Sequence, residues 1–393
     1  MEKKSAAILL GMLPDGSIIR HFAIFTRAMK AFADESGLDY FFGATSKMRQ
    51  DDTTRIDAWS IVHSVLQDDH ILTGDTYADV IDGVRRVLES HERTVVHFQG
   101  GWRQLRYLIP LKREYGSRMR LLAVTQAYKH DTRLRIPMSA FQCLLYTLYA
   151  DKVNFQCPYS ARRFVGNSLI FRQGKGVILP MWCEPYGEIP EDVPAGIKGI
   201  GLEKVLLDKS LYTFVYLAGF RPGKKHRWLV EAIAPVLKTM PHVRILFCGS
   251  GDVNVKRDVE QTINRLGVGT QVLLPGQIPH EEVPWLLKHS GCAIIPTAAE
   301  TFGHTYVEPL MAGIPVLGTR TGAGEYAIRD YETGFGFDLN APESVRAGVR
   351  ALAGNPEESL RMGERARELA ERIFLTPKVV RGYCALYRDM LRS

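Results

Sequence analysis

The sequence predicts an α/β protein made of two tandem doubly wound, Rossmann-like domains that face a cleft. Three observations lead to this prediction. The chain has 393 residues, which is more than one hydrophobic core usually serves. Strand-sized apolar runs alternate with amphipathic helical stretches almost throughout, as in parallel sheets that are covered on both faces. A stretch at 180–204, rich in proline and glycine and without periodicity, separates two such series.

The first half provides six strand-like runs. They cover residues 5–10, 39–44, 94–100, 120–126, 152–157 and 176–180, and helix-period segments lie between them at 21–33, 77–91 and 136–150. The first apolar run is only about seven residues long and reaches Pro14-Asp15-Gly16 at once. We interpret it as a buried strand and its turn, and not as a signal peptide. The N-terminal domain is therefore placed at 1–180 and the linker at 181–204.

The second half repeats the scheme. Strands are predicted at 211–220, 242–251, 271–277, 291–297 and 314–319, and helices at 226–238, 255–267, 281–291 and 377–393. In doubly wound sheets, ligands bind at the carboxyl ends of the strands, and with two such domains this edge borders the interdomain cleft. We place the second domain at 205–374.

Composition and charge restrict the class of protein. Apolar residues make up 46 % and charged residues 24 %, as in globular proteins, and no apolar run approaches the roughly 18 residues of a membrane helix. The six cysteines form no CxxC pair, which favours a reducing, cytoplasmic location without structural zinc. We expect no metal site.

The net charge of +7 belongs to the first half, since residues 1–180 hold 25 Lys and Arg against 18 Asp and Glu, whereas the remainder is balanced at 25 and 25. This excess predicts either a solvated basic face or a surface for an anionic partner, such as a membrane surface or a lipid-phosphate acceptor. No nucleic-acid-binding motif accompanies the charge.

The stretch "AAETFGHTYVEPLMAG" at 298–313 carries the most specific chemistry. Pro309 predicts a helix that starts near His304 or Thr305, because proline is tolerated in a first turn. Gly303 then lies in the preceding turn, where free N–H groups form an anion site. Glu300 and Glu308 flank that turn, and carboxylates accept hydrogen bonds from sugar hydroxyls. The pattern suits a sugar nucleotide; the alternative is a turn glutamate and an exposed helix glutamate.

Two further stretches also favour a sugar-nucleotide site, although each alone is weak evidence for it. "AGFRPGKKHRW" places Arg221, Lys224 and Lys225 in a strand-to-helix turn, where they could compensate a diphosphate. "FCGSGD" places Gly249 and Gly251 at the end of the next strand; a simple tight turn is the alternative.

Together these stretches resemble the second domain of the family 4 glycosyltransferases, which are retaining enzymes of the GT-B fold. The family's signature is two glutamates separated by seven residues, with Phe-Gly soon after the first and small residues after the second. Here Glu300, Phe302, Gly303, Glu308 and Gly313 match it. The resemblance covers roughly residues 212 to 353. It also implies a C-terminal helix, residues 375–393, that packs back on the first domain.

The resemblance implies a role for each matching residue. Glu308 would hold the ribose hydroxyls, and Glu300 would contact the hexose as a catalytic residue. The remaining donor contacts would come from Phe302, Gly303, His304, Thr305, Gly249, Gly251, Gln277 and Ile278, the last two beside the base. Arg221 and Lys225 would neutralise the departing diphosphate, with Lys224 as the competing lysine. Such enzymes usually need no metal and no cofactor beyond the sugar nucleotide.

The first domain departs from the family. Relatives often carry a Gly-Gly loop after the first strand, where this chain has Gly11 and Gly16 apart, and a histidine after a central strand, where it has Gln126. His130, four residues on, is the catalytic substitute we consider, although a surface residue is the alternative. His97 ends another strand and is a second candidate. We expect His97, Gln126 and Gly16 on the acceptor or sugar side.

The sequence therefore predicts a retaining hexosyltransferase that uses a UDP-linked sugar in preference to a GDP-linked one. The acceptor would be a glycan, a lipid-linked molecule or a small molecule, and the enzyme would be cytoplasmic or peripheral at the inner face of a membrane. A noncatalytic glycosyltransferase-like module and a sugar-nucleotide epimerase are the alternatives.

Overall fold

The computed structural model describes residues 4–11, 16–45, 53–125, 135–164 and 166–393. The chain forms two compact units, one of residues 1–182 together with 376–393, the other of residues 183–375. The chain therefore passes between the units twice, after Trp182 and after Leu375.

The first unit contains a parallel sheet in which seven strands are described. Their order is β3-β2-β1-β4-β5-β6-β7, and the strands are β1 (Ala6–Gly11), β2 (Asp39–Thr45), β3 (Ile71–Gly74), β4 (Thr94–Gln99), β5 (Met119–Val124), β6 (Lys152–Phe155) and β7 (Gly176–Ile178). Every residue of β1 and β4 is buried, as expected for central strands with helices on both faces.

Helices connect these strands: α1 (Gly16–Ser36), α2 (Thr53–Val65), α3 (Tyr77–Ser90), α4 (Trp102–Leu105), α5 (Leu108–Tyr115), α6 (Arg135–Tyr149), α7 (Pro158–Arg163) and α8 (Asn167–Arg172). The start of α3 shows how local sequence fixes a boundary. Thr76 and Asp79 form a capping box in which each side chain accepts a hydrogen bond from the other's backbone N–H, so two donors of the first turn are satisfied.

The second unit contains a parallel sheet in the order β10-β9-β8-β11-β12-β13. Its strands are β8 (Tyr212–Leu217), β9 (Val243–Cys248), β10 (Val272–Gly276), β11 (Cys292–Ile295), β12 (Val316–Gly318) and β13 (Gly334–Gly336). Its helices are α9 (Ala195–Gly199), α10 (Glu203–Leu206), α11 (His226–Leu237), α12 (Val253–Leu266), α13 (Val283–Lys288), α14 (His304–Met311), α15 (Gly324–Ala327), α16 (Pro342–Gly354) and α17 (Pro356–Phe374).

The C-terminal helix α18 (Thr376–Arg392) belongs to the first unit. Its apolar face carries two buried tyrosines that reach the sheet, where Tyr383 Oη accepts a hydrogen bond from Asn154 Nδ2 at 2.8 Å. Tyr387 Oη lies 2.6 Å from Nδ1 of His97. The final helix is thus part of the core of the first unit.

The predicted fold class, two doubly wound α/β domains in tandem, is confirmed strand by strand except at two edges. The sequence analysis missed β3 and β13, which have four and three residues and lie at the ends of their sheets. Within the described part of the chain, no helix is long and apolar enough to cross a membrane.

Candidate active site

Four loops meet at one edge of the second sheet. They follow β10, β9, β8 and β11, which are neighbours in the sheet, and the carboxyl ends of parallel strands lie at the same edge. These loops contain the residues that the sequence analysis selected in the second half. Hydrogen bonds join each loop to the next, so the selected residues form one site.

The loops after β8 and β9 are joined by their backbones. Phe220 N donates to the carbonyl of Ser250, and Asp252 N donates to the carbonyl of Phe220, both at 2.9 Å. A Cβ atom on Gly251 would lie 2.6 Å from the backbone N and O of Phe220. Gly251 is therefore required because another backbone passes against it. This close packing fixes the β8 loop.

The loop after β10 continues the same edge. Gly249 N donates to the carbonyl of Gly276 at 2.8 Å, and Ser250 Oγ donates to Oε1 of Gln277 at 3.1 Å. Gln277 is exposed, whereas Ile278 is buried. The two residues predicted beside a nucleobase thus adjoin the glycine turn after β9.

The loops after β8 and β11 meet at an ion pair. Lys224 Nζ donates to Oε2 of Glu300 at 2.6 Å, and the two side chains are 22 % and 19 % exposed. The backbones also touch, since Ala298 N donates to the carbonyl of Gly223 at 3.1 Å. A cation and a carboxylate are thus held together where both still reach solvent.

The neighbouring lysines Lys224 and Lys225 have different surroundings in the structure. Lys225 is the lysine predicted to neutralise the diphosphate, with Lys224 as its competitor, but it is Lys224 that contacts Glu300. Lys225 is exposed and adopts a left-handed backbone, with φ of 58°, as the residue preceding α11. Arg221 is exposed two residues before Gly223. Lys224 is therefore the lysine of this loop that contacts Glu300, and Arg221 is an exposed cation of the same loop.

The turn before α14 has the predicted form. Helix α14 begins at His304, and Gly303 adopts a φ of +85° before it, a conformation that side chains with a Cβ disfavour. A Cβ on Gly303 would also lie 2.5 Å from Cγ of Glu300. The Phe302 side chain is buried against Phe374, with ring centroids 5.8 Å apart. Only the backbone of Phe302 and Gly303 is thus available to a ligand.

The first turn of α14 adds polar groups. The Thr305 hydroxyl is buried and finds no hydrogen-bond partner among the described residues. The His304 ring packs edge-on against Phe302, with centroids 5.3 Å apart. The helix begins at His304 as expected, but Pro309 lies in its second turn and not in the first turn, where proline is tolerated best. Tyr306 N donates to the carbonyl of Gly303 at 3.0 Å, whereas the N–H groups of His304 and Thr305 have no intrahelical acceptor, so this end of α14 can receive an anion.

Glu308 is largely buried in α14, one helical turn after His304. Among the residues described, no hydrogen bond or ion pair reaches its carboxylate, and burial raises its pKa from 4.5 to about 7. Its negative charge also acts on two residues of the predicted linker. The pKa values of the Cys183 thiol and the Tyr186 phenol are raised, mainly by burial and next by the charge of Glu308. Glu308 is thus a hydrogen-bond acceptor whose capacity the protein leaves unused.

Tyr216 is a site residue that the sequence did not predict. It holds the backbone of Lys224 by a hydrogen bond. Its hydroxyl, at the end of β8, donates to the carbonyl of Lys224 at 3.0 Å and lies 3.0 Å from Oγ1 of Thr297. Tyr216 is fully buried. A tyrosine inside the apolar strand "TFVYL" is a usable signal, because a buried phenol needs a hydrogen-bond partner.

We expect Tyr216→Phe to lower the free energy of unfolding by about 1–3 kcal/mol, since Thr297 and the Lys224 carbonyl lose their partner. It should also slow turnover by about tenfold because the lysine turn is displaced. Tyr212→Phe is the matched control: Tyr212 lies in the same strand and hydrogen-bonds Ser359 and Gly291. Denaturant unfolding should show similar losses for both variants. Equal turnover in both would contradict the positioning role of Tyr216.

One prediction for the first unit, that of His97, is wrong. His97 was expected near the sugar or acceptor, but it is fully buried beneath α18. Gln99 Nε2 lies 3.1 Å from His97 Nε2, so Nδ1 carries the proton and donates to Tyr387 Oη. Burial lowers the pKa of His97 to about 3. His97 is a neutral core residue because both ring nitrogens are engaged inside the unit.

The other first-domain candidates give less information. Gln126 and His130 lie outside the described residues, so the structure says nothing of their proposed roles. Gly16 is the first residue of α1.

The comparisons with known proteins bear on the second unit. Residues 202–369 match the family model of the group 1 glycosyl transferases. This segment lies within residues 183–375 and contains all four loops of the site. The second unit is therefore similar to a group 1 glycosyltransferase domain.

Several curated relatives show the same similarity. N-acetyl-alpha-D-glucosaminyl L-malate synthase of Bacillus anthracis is 27 % identical over 187 residues, 48 % of each chain. D-inositol 3-phosphate glycosyltransferase of Segniliparus rotundus is 28 % identical over 200 residues, 50 % of this chain and 44 % of the relative. This chain thus spans about half the length of these relatives.

Solved structures establish the fold over the whole chain. HepE of Anabaena, determined with UDP and glucose, has a TM-score of 0.76 at 13 % identity and covers 98 % of this chain and 99 % of its own. A glycosyltransferase from Rickettsia africae has a TM-score of 0.75 at 15 % identity, with full coverage of both chains. The predicted GT-B fold is confirmed.

Proposed function

We propose that this protein is a retaining hexosyltransferase that moves a hexose from a nucleoside-diphosphate sugar to an acceptor hydroxyl. The observation that carries the proposal is the contact between Lys224 and Glu300 at 2.6 Å. A ligand that engages both must present a negatively charged oxygen and a hydroxyl close to each other. The distal phosphate and the attached hexose of a sugar nucleotide meet this requirement.

The remaining groups match the rest of such a donor. Glu308 offers a carboxylate without a protein partner to the ribose hydroxyls, and Gln277 and Ile278 border the base. The N–H groups at the start of α14 face the phosphates together with Thr305. Each proposed contact lies on one of the four joined loops or in α14, the helix that directly follows the β11 loop, so we propose that a single extended ligand reaches them all.

The proposed chemistry rests on charge compensation and positioning. When the bond between the anomeric carbon and the phosphate oxygen breaks, negative charge develops on the departing diphosphate, and Lys224, Arg221 and the α14 N-terminus stabilise it. The acceptor oxygen forms its bond to the same face of the anomeric carbon while its proton passes to the departing diphosphate oxygen, so the configuration is kept. We assign no side-chain nucleophile, metal ion or cofactor to this step.

We favour a UDP-linked donor. HepE and the pneumococcal O-GlcNAc transferase GtfA were both determined with UDP, and their folds resemble this one. A relative from Mycolicibacterium smegmatis is named a GDP-mannose-dependent mannosyltransferase and is 24 % identical over 74 % of this chain. The nucleobase of the donor, uracil or guanine, is therefore the first feature to test. The acceptor we propose is a hydroxyl of a glycan, a lipid-linked molecule or a small molecule.

Acceptor-dependent release of nucleoside diphosphate tests the proposal. Purified protein is given UDP-glucose, UDP-N-acetylglucosamine or GDP-mannose with acceptors of the three classes, and NMR reports the anomeric configuration of the product. We expect one donor to be consumed with retention, and Glu300→Gln to lose at least about 100-fold of the rate. Donor binding without transfer to any acceptor would favour the noncatalytic module, and interconversion of the sugar without acceptor would favour the epimerase.

A further inference from the structure

Large exposed apolar side chains are concentrated in one part of the first unit. Among the described residues eleven such side chains are exposed, and six of them lie between 141 and 178: Phe141, Leu144, Leu148, Leu169, Phe171 and Ile178. Single exposed apolar residues are ordinary, but a cluster marks an interaction surface.

Helix α6 is apolar on both of its faces. Cys143, Leu145 and Tyr146 point inward and are buried, whereas Phe141, Leu144 and Leu148 are 45 %, 52 % and 60 % exposed. The exposed three follow a spacing of three and four residues, which puts them on one side of the helix. No charged residue occurs between 141 and 149. A helix that is apolar all round is normally covered on every side.

Helix α8 extends the apolar surface. Gly166, the residue before α8, packs on α6, since a Cβ there would lie 2.2 Å from Sγ of Cys143. Leu169 and Phe171 of α8 are 46 % and 39 % exposed. We call Phe141, Leu144, Leu148, Leu169 and Phe171 the α6–α8 surface.

The same part of the sequence is strongly basic. Residues 101–180 contain 14 Lys and Arg against 3 Asp and Glu, a net charge of +11, whereas residues 1–100 contain 11 against 15. The two acids described in this segment are already occupied: Glu114 pairs with Arg85, and Asp151 pairs with Lys112 and Arg120.

Exposed arginines are close in sequence to the apolar side chains. Arg172 ends α8 immediately after Phe171, and Arg163 ends α7. Both are exposed, and neither contacts a carboxylate within the described ranges. Guanidinium groups beside apolar side chains match the interfacial region of a bilayer, where apolar groups enter and cations remain at the headgroups.

We propose that the α6–α8 surface docks on the surface of an anionic lipid bilayer. The apolar side chains supply insertion, and the net charge of +11 carried by residues 101–180 supplies attraction to acidic headgroups. The charge argues against a second copy of this chain as the occupant, because self-association would bring two strongly basic segments together. The proposal is independent of the sugar-nucleotide site, since every residue of that site lies in the second unit.

Vesicle flotation with the full chain tests the proposal. The vesicles contain phosphatidylcholine alone or with about one-third phosphatidylglycerol. We expect partition into the anionic vesicles, at least tenfold weaker binding to the neutral ones, and release at high salt. Leu144→Gln with Leu148→Gln should weaken partition by tenfold or more, and Arg163→Gln with Arg172→Gln should reduce the difference between the two vesicle types.

Leu360→Gln is the matched control, because Leu360 is 65 % exposed on α17 in the second unit; it should bind vesicles as the wild type does. Equal partition of the wild type and the leucine double variant would overturn the proposal, as would the absence of binding to anionic vesicles. A dimer in sedimentation that the double variant abolishes, without vesicle binding, would assign the surface to a second copy instead. Nucleotide-induced stabilisation of the double variant reports separately on the donor site.

Discussion

Lys224→Ala is expected to lower the turnover number by about 10²–10³-fold, the cost of removing one group that stabilises developing charge. The reason is the position of its ammonium group, 2.6 Å from Glu300 on a turn held by Tyr216 and Gly223. The variant would leave the Glu300 carboxylate without its cation and the departing diphosphate without compensation. Steady-state release of nucleoside diphosphate measures the effect.

Lys225→Gly is the matched control for this prediction. Lys225 is the adjacent lysine, is exposed and has a φ of 58°, a conformation that costs a side chain with a Cβ about 1–2 kcal/mol and that glycine adopts freely. We expect this variant to keep turnover within about threefold and the fold intact. A large loss in Lys225→Gly with little change in Lys224→Ala would return the role to Lys225.

Glu308→Gln is expected to raise the free energy of unfolding at pH 8 by as much as about 3 kcal/mol, with no change near pH 4. The folded-state pKa of about 7 exceeds the ordinary 4.5, so the folded protein prefers the neutral acid. The stability of the protein with neutral Glu308 is therefore fully present below pH 4.5. It is lost as the pH rises through the folded-state pKa of about 7, and each unit of pKa difference corresponds to about 1.36 kcal/mol. Denaturant unfolding from pH 4 to 8 measures the difference.

The same carboxylate should make donor affinity depend on pH. Ribose hydroxyls would donate to the ionised form, so we expect the affinity to fall up to tenfold per pH unit below pH 7. Glu308→Gln should bind weakly at every pH. Glu281→Gln replaces an exposed glutamate of the same unit and should reproduce the wild-type profile. A wild-type affinity that does not change between pH 5 and 8 would contradict a role for Glu308 in binding.

The sequence could predict the parts of the fold and site that depend on local chemistry. Continuous apolar runs identified the central strands, because those strands are buried on both faces. The turn at Gly303 and the helix starting at His304 followed from glycine and proline conformations. The loops came together because parallel strands end at one edge, which requires no knowledge of side-chain packing.

The remainder depends on tertiary contacts. β3 and β13 are too short to give a pattern and form by pairing with neighbouring strands. Neither composition nor spacing distinguishes Lys224 from Lys225, since the distinction arises from the left-handed backbone of Lys225. His97 lies near the end of β4, at the expected edge, but the tyrosines of α18, almost 300 residues away, bury it. Tyr216 gains its role only through the carbonyl of Lys224.

The most direct test of the central claim, that the second unit binds a sugar nucleotide, is thermal melting against UDP, GDP and their sugar derivatives, with Glu308→Ala as the control. A ligand at about 100 times its dissociation constant stabilises by about 2.7 kcal/mol, which for a unit of this size raises Tm by several degrees. We expect one nucleotide family to raise Tm of the wild type and to leave Tm of Glu308→Ala unchanged. A folded wild-type protein whose Tm no nucleotide raises, or an equal rise in the variant, would contradict it.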